Sequence, residues 1–225
     1  KSDLSLDLAE RLGGPAATEI VNADAMQLYR GMDIGTAKVP PAERRGLTHH
    51  QLDVLDVTEE ASVAAYQRHA RKDLSGIAQR GKRAILVGGS GLYVRAVLDD
   101  IEFPGTDPEL RRRLMAEAEQ LGAPAMHDRL RQRDPVAAQR VLPGNLRRIV
   151  RALEVIELTG RPFSATLPEH RYAVPAQQFA VQVERSTLDE LIAARAARMV
   201  HGGLIEETRV LLDHGLLRGR TASRA

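Results

Sequence analysis

The sequence predicts an α/β protein, a parallel sheet with helices on its faces, interrupted by an all-helical insert. Three observations predict it. Apolar runs of strand length at 18–21 and 84–87 alternate with amphipathic helical stretches. The second run feeds straight into Gly88-Gly89-Ser90-Gly91 and then a helix, the strand–turn–helix order of parallel sheets. From Asp107 the pattern changes to successive helices with no strand between them.

Element by element, the chain opens in a helix over 2–12. Leu4, Leu8 and Leu12 recur at helical spacing, with Leu6 and Ala9 alongside, and Gly13-Gly14-Pro15 closes it. The run 18–21 is a short buried strand leading into Asn22-Ala23-Asp24. A long amphipathic helix spans 60–80 on Val63, Tyr66, Ala70, Leu74 and Ile77 and is closed by Gly81. After the strand 84–87 and its glycine turn comes a helix over 92–98. Helices follow over 107–121, 123–132 and 145–158; Asp107-Pro108 and Asp134-Pro135 are helix starts, Asp as N-cap and Pro in the first turn. A strand-like run at 178–183 and helices over 187–201 and 204–212 complete the chain. The α/β core is thus expected over 1–100 and 145–225, and the helical insert over 101–144.

Composition bounds the function. The chain has 225 residues, 43% of them hydrophobic and 28% charged, as ordinary globular proteins do. It has no cysteine, which excludes disulfides, thiolate metal sites and a cysteine nucleophile. No run of about 18 or more apolar residues occurs, so no membrane partner is expected, and a cytoplasmic monomer is the expectation. With no initiator Met and no closing helix cap, the chain reads as an internal piece of a longer protein. Of its 32 basic residues, 28 are Arg, whose planar fork suits phosphates. Aromatics are only 3%, too few for an extended base-stacking platform. Between 111 and 151 there are ten Arg and four acidic residues, a balance of +6, against +2 for the whole chain. A basic helical unit beside a core of opposite balance suits a polyanion such as nucleic acid.

Several short patterns carry chemistry. Lys1-Ser2 opening a helix is how a phosphate-binding loop ends: the Lys reaches terminal phosphates and the hydroxyl binds Mg²⁺. Asp24 stands just past a strand, where a carboxylate serves as general base or metal ligand. The loop Gly31 to Lys38 offers two glycines, a hydroxyl and a Lys to a phosphate, or is a plain turn. His49 and His50 are adjacent, so they point apart, and packing or hydrogen bonding suits them better than a metal. Ser90 follows two glycines at a helix start, where backbone amides approach a ligand. Arg147 and Arg151 share a helix face, with Arg148 beside it, an arrangement that grips phosphates. Arg195 sits among small helical residues, where its guanidinium can turn inward.

These segments together resemble the tRNA dimethylallyltransferases (tRNA isopentenyltransferases). The resemblance runs from Lys1 to about Gly215 and rests on five stretches in order: Lys1-Ser2, Asp24 to Lys38 with its GMDIGTAK run, HHQLDVLD from His49, VGGSGLY from Val87, and RRIVRALEVIELTGRP from Arg147. It implies a P-loop kinase-like core whose helical insert grips the tRNA anticodon stem-loop. The implied reaction moves a dimethylallyl group from dimethylallyl diphosphate to N6 of the adenosine 3′ to the anticodon, with Mg²⁺. The resemblance implies that Asp24 takes the N6 proton and that Ser90 lies beside the flipped adenine. Lys1, Ser2 and Arg195 would then hold the diphosphate, with Ser2 also on the metal. Ala25, Met26, Gln27, Arg111, Arg147, Arg148, Ile149, Val150 and Arg151 are implied tRNA contacts. Three rival readings share parts of this pattern: a P-loop small-molecule kinase, a prenyltransferase of free adenine nucleotides, and a non-catalytic RNA-binding module.

Overall fold

The chain starts in helix α1 (Ser2–Arg11), turns through Gly13 and enters strand β1 (Thr18–Asn22), which is buried along its whole length. β1 is the middle of a parallel three-stranded sheet, with β2 (His49–His50) on one side and β3 (Arg83–Val87) on the other. The register sets Ile20 opposite Ile85, Asn22 opposite Val87 and Val21 opposite His50. Strand side chains alternate between faces, so the two faces of β1 build two cores. Ile20 packs with Leu6 and Ala9 of α1 and with Leu47. Val21 packs with Tyr66, Ala70 and Ile77 of α2 (Val63–Gln79) and with Tyr93 and Val97 of α3 (Gly91–Leu98). This is the three-layer α/β arrangement the sequence predicts, in a computed structural model describing residues 1–166 and 171–224.

A second compact unit spans Asp99–Tyr172. Helix α4 (Pro108–Arg133) starts at the N-cap Asp107, whose carboxylate accepts from the Glu109 and Leu110 amides. It breaks at Gly122 (φ 80°, ψ 162°), two residues before Pro124, so the two helices read at 107–121 and 123–132 are halves of one interrupted element. Helices α5 (Pro135–Arg140) and α6 (Leu146–Thr159) follow, capped by Asp134 and Asn145. Leu114, Met126 and Leu130 of α4 pack on Ile149, Val150 and Leu153 of α6. That packing corrects the expected boundary. α6, assigned to the core by its place in the sequence, buries its apolar face on α4, so the helical unit runs to Tyr172 rather than to 144.

The chain then returns to the first unit for α7 (Arg185–His201) and α8 (Leu204–Asp213). Two further expectations change. In α1 the leucine stripe faces out, with Leu4 53% and Leu8 36% exposed, while Ser5, Leu6 and Ala9 are buried. Contact with β1 and Leu47 takes the Leu6 and Ala9 face instead. Ser5 tolerates burial because its hydroxyl donates to the Ser2 carbonyl at 2.6 Å. The run 178–183 joins no strand among the described residues, and Phe179 is 80% exposed. A β-prone run becomes a strand only where a neighbour supplies the ladder.

Candidate active site

The carboxyl end of β1 is held from several directions. Asn22 Oδ1 accepts from the Asp24 amide at 3.0 Å, and Asn22 Nδ2 donates to the carbonyls of Asp24 (3.0 Å) and Gln51 (2.9 Å). The Tyr66 hydroxyl donates to the Asn22 carbonyl at 2.8 Å. Asp24 Oδ1 accepts from the Met26 amide at 3.0 Å, which orients the half-buried carboxylate. Ser90 Oγ accepts from the Ala25 amide at 3.2 Å, tying the glycine turn after β3 to the loop after β1. That turn requires glycine: a Cβ at Gly88 would lie 2.2 Å from the Ala23 carbonyl oxygen. Beside it, the space that a Gly89 side chain would fill is bounded by Lys1 Nζ at 3.2 Å and Asp24 Oδ2 at 4.0 Å. Lys1, Asp24 and Ser90, far apart in sequence, therefore meet at one sheet end, with Ser2 next to Lys1 in the first turn of α1.

Asp24 also lines a cleft of about 240 Å³ with Met26, Gly35, Thr36, Ala37, Arg195 and Met199. One wall is the loop after β1. Gln27 Nε2 donates to the Thr36 carbonyl at 3.0 Å, and Ala37 is held at φ 52°, left-handed backbone that a non-glycine residue adopts only under constraint. α7 supplies the rest of the lining, through Arg195 and Met199. Of the sequence candidates, Asp24, Met26 and Arg195 thus share one cleft. Lys38 does not join them. Its side chain is 2% exposed, and Nζ donates to the Tyr29 carbonyl (2.8 Å), Asp33 (2.6 Å) and Asp53 (2.6 Å). It closes the loop from within rather than facing a phosphate. The two histidines hydrogen-bond as read: His50 Nε2 to Glu19 at 2.7 Å, His49 Nδ1 to the Leu47 carbonyl at 2.9 Å.

In the helical unit the arginines divide into two sets. Glu154, wholly buried, accepts from Arg111 Nη2 (2.7 Å), Arg151 Nη1 (2.9 Å) and the Asp107 amide (3.0 Å). Burial works against its charge, but these bonds outweigh it and hold the carboxyl below its ordinary range. Arg151 also donates to the carbonyls of Pro104 and Gly105. Ile149 and Val150 lie in the hydrophobic core, 0% and 2% exposed, which corrects any reading of their side chains as tRNA contacts. Arg147 and Arg148 are exposed and make no ion pair among the described residues.

Sequence reasoning missed three polar residues that organise these places: Asn22, Glu154 and Glu207. The Glu207 carboxylate on α8 accepts from the amides of Asp33 (3.0 Å), Ile34 (2.7 Å) and Gly35 (3.0 Å). Only Asn22 left a signal, as a polar residue ending an apolar strand. Among the described residues no group of three or more His, Asp or Glu side chains is arranged to hold a metal, and no helix is long and apolar enough to cross a membrane.

The IPP transferase family model matches residues 27–225. The tRNA dimethylallyltransferase of Kineococcus radiotolerans is 58% identical over 229 residues, covering 100% of this chain and 72% of that protein. That of Streptomyces coelicolor is 58% identical over 225 residues, with 100% and 71% covered. Among solved structures, the full-length tRNA isopentenylpyrophosphate transferase of Bacillus halodurans aligns with a TM-score of 0.60 at 38% identity, covering 100% of this chain and 70% of that one. A eukaryotic dimethylallyltransferase acting on tRNA aligns with a TM-score of 0.83 at 26% identity, covering 95% and 53%.

Proposed function

The chain belongs to the IPP transferase family of tRNA dimethylallyltransferases, and from that premise we propose how its own residues carry the transfer. The donor is dimethylallyl diphosphate and the acceptor is N6 of the adenosine 3′ to the anticodon. The observation that carries the reading is the meeting of Asp24, Lys1 and Ser90 at the end of β1, with Arg195 lining the same cleft as Asp24.

Reaching N6 requires the adenosine to leave the anticodon-loop stack, which costs a few kcal/mol. Ser90, whose oxygen accepts from Ala25, keeps its hydroxyl proton for a base edge. The allylic C–O bond breaks as the N6–C bond forms, and Asp24 takes the N6 proton while diphosphate departs. Negative charge grows on the leaving group, so cations fixed beforehand lower the barrier. Lys1 and Arg195 supply that charge, and Met26 and Met199 offer an apolar lining for the five-carbon chain. The Ser2 hydroxyl is a hard oxygen donor that suits Mg²⁺, an ion that keeps several waters and takes substrate phosphate oxygens rather than needing a protein cage. When bound there, Mg²⁺ supplies further neutralisation of the diphosphate. The tRNA lies against Ala25, Met26 and Gln27 at the core, and against Arg111, Arg147, Arg148 and Arg151 on the helical unit. Ile149 and Val150 support that helix from inside.

The test is incubation with Mg²⁺, dimethylallyl diphosphate and an unmodified tRNA bearing that adenosine, then digestion and mass spectrometry. One added C5 unit on adenosine is the expected product. A C5 unit on free AMP alone would leave the chemistry and reject the acceptor. ATP consumption without a C5 product would favour phosphoryl transfer instead.

A further inference from the structure

We infer that Glu207 is a positioning residue for diphosphate capture: its carboxylate fixes the loop that forms one wall of the reaction cleft against the α7–α8 segment that carries the other. The inference rests on the cleft holding the diphosphate, as proposed above.

Three backbone amides in a row, those of Asp33, Ile34 and Gly35, converge on this one side chain. Successive amides that point the same way have no partner in their own turn, and a carboxylate is the strongest acceptor a side chain offers. Glu207 reaches them because Leu204, Glu207 and Leu211 share one face of α8, and all three meet the loop. A Cβ on Gly35 would lie 3.1 Å from Leu204 Cδ1, and one on Gly31 would lie 3.3 Å from Leu211 Cδ2. At both glycines the loop backbone therefore lies near enough to α8 that an added Cβ would be tighter than ordinary contact. Gly35 is both bonded to Glu207 and part of the cleft lining, and Thr36 and Ala37 beside it are cleft lining too.

The other wall follows from connectivity. Arg195 and Met199 lie on α7, which passes through Gly202-Gly203 directly into α8. One carboxylate near the start of α8 thus ties the loop wall to the helix pair bearing the diphosphate-holding arginine. Nothing in this requires Glu207 to touch substrate. The loop is held from both sides, Gln27 donating to the Thr36 carbonyl and Glu207 accepting from the amides of Asp33 to Gly35, while Ala37 closes the turn between them through its amide on the Ile34 carbonyl at 3.0 Å. Without Glu207, three amides must find water, the loop relaxes away from α8, and the cleft that Arg195 lines widens.

The experiment compares wild type, Glu207→Ala and Glu207→Gln at saturating tRNA with dimethylallyl diphosphate varied. A positioning role predicts a KM for the diphosphate donor raised about tenfold in Glu207→Ala, with kcat within about threefold. Glu207→Gln keeps one accepting oxygen but sets an NH2 donor against the amide or amides that the other oxygen now takes, so it recovers only part of that loss. A kcat that falls in step with the folded fraction while KM stays constant, in both variants, overturns the inference and leaves a purely structural residue. Calorimetric titration with inorganic diphosphate gives a readout that needs no transfer. If wild type modifies no tRNA but Glu207→Ala weakens diphosphate about tenfold, the acceptor reading fails and the positioning role stands. If wild type modifies tRNA and diphosphate binds both proteins equally, the positioning role fails alone.

Discussion

At the residue scale the proposed general base, Asp24, is a carboxylate held by its own neighbourhood. Met26 donates to Asp24 Oδ1, and Asn22 fixes the Asp24 main chain on both its amide and its carbonyl. Asp24→Asn keeps an oxygen for the Met26 amide but cannot accept the N6 proton. Its turnover is expected to fall by roughly 10²–10⁴, with the tRNA dissociation constant within about twofold, as read by single-turnover kinetics and filter binding. Equal losses of binding and rate would remove Asp24 as the base. The residues at strand ends, Asp24 and Ser90, were legible because parallel sheets expose those positions to ligands. Glu207 was not, since its three partners are main-chain amides more than 170 positions away. Lys38 stayed open between a phosphate contact and a plain turn for the related reason that spacing reveals a cation in a loop but not which way it turns. Glu154 sat unremarked among apolar helix residues, because its value depends on Arg111, 43 positions upstream.

At the scale of elements, periodicity and caps located α1, α3, α6, α7, α8 and both longer strands within a residue or two, while α2 starts three residues after the reading and α5 was marked only by its Asp134-Pro135 start. The two-residue β2 escaped because two residues carry no period, and it exists only through its pairing with β1. The exposed run at 178–183 shows the converse. The α4 interruption offers a direct test. Gly122 occupies φ 80°, ψ 162°, a region open essentially to glycine alone. Gly122→Ala is expected to destabilise the helical unit by about 1–3 kcal/mol, measured by urea denaturation, with no change in the KM for dimethylallyl diphosphate. A variant as stable as wild type would mean that the two halves of α4 can merge into one straight helix at no cost.

At the scale of the whole molecule, charge is spent inside as well as offered outside. Ten arginines lie between 111 and 151, but Arg111 and Arg151 engage Glu154, while Arg113 and Arg129 engage Glu157 and Glu117. Arg112 and Arg131 pair within their own helix. Arg133, Arg140, Arg147 and Arg148 make no ion pair among the described residues. If the four proposed contacts, Arg111, Arg147, Arg148 and Arg151, carry the phosphates, the slope of log K against log salt for tRNA is about −3 to −4; if all ten do, it nears −9. Titration between about 50 and 200 mM salt separates the two. Acid stability is set in both units. Hydrogen bonding from Arg80 outweighs burial at Glu19 and, with His50 and Lys82, draws its pKa from 4.5 to about 2; Glu154 is lowered as well. These carboxylates release protons more readily folded than unfolded, so their contribution is complete above pH 4.5 and is lost as pH falls toward 2. Burial also lowers His49, which adds a gentler loss beginning below its ordinary 6.5. Thermal midpoints are expected to decline slowly below pH 6.5 and steeply below 4.5, and Glu19→Gln should flatten part of the steep limb. One further consequence follows from where the helical unit departs and rejoins. The Ala173 amide donates to the Leu98 carbonyl at 2.7 Å, so the α/β core lets the chain out and takes it back through a single hydrogen-bonded gap. In genetic terms everything between those two positions is a cassette. A tight turn can span the gap, so a gene can lengthen, trade or delete the intervening stretch while every strand neighbour in the core keeps its place.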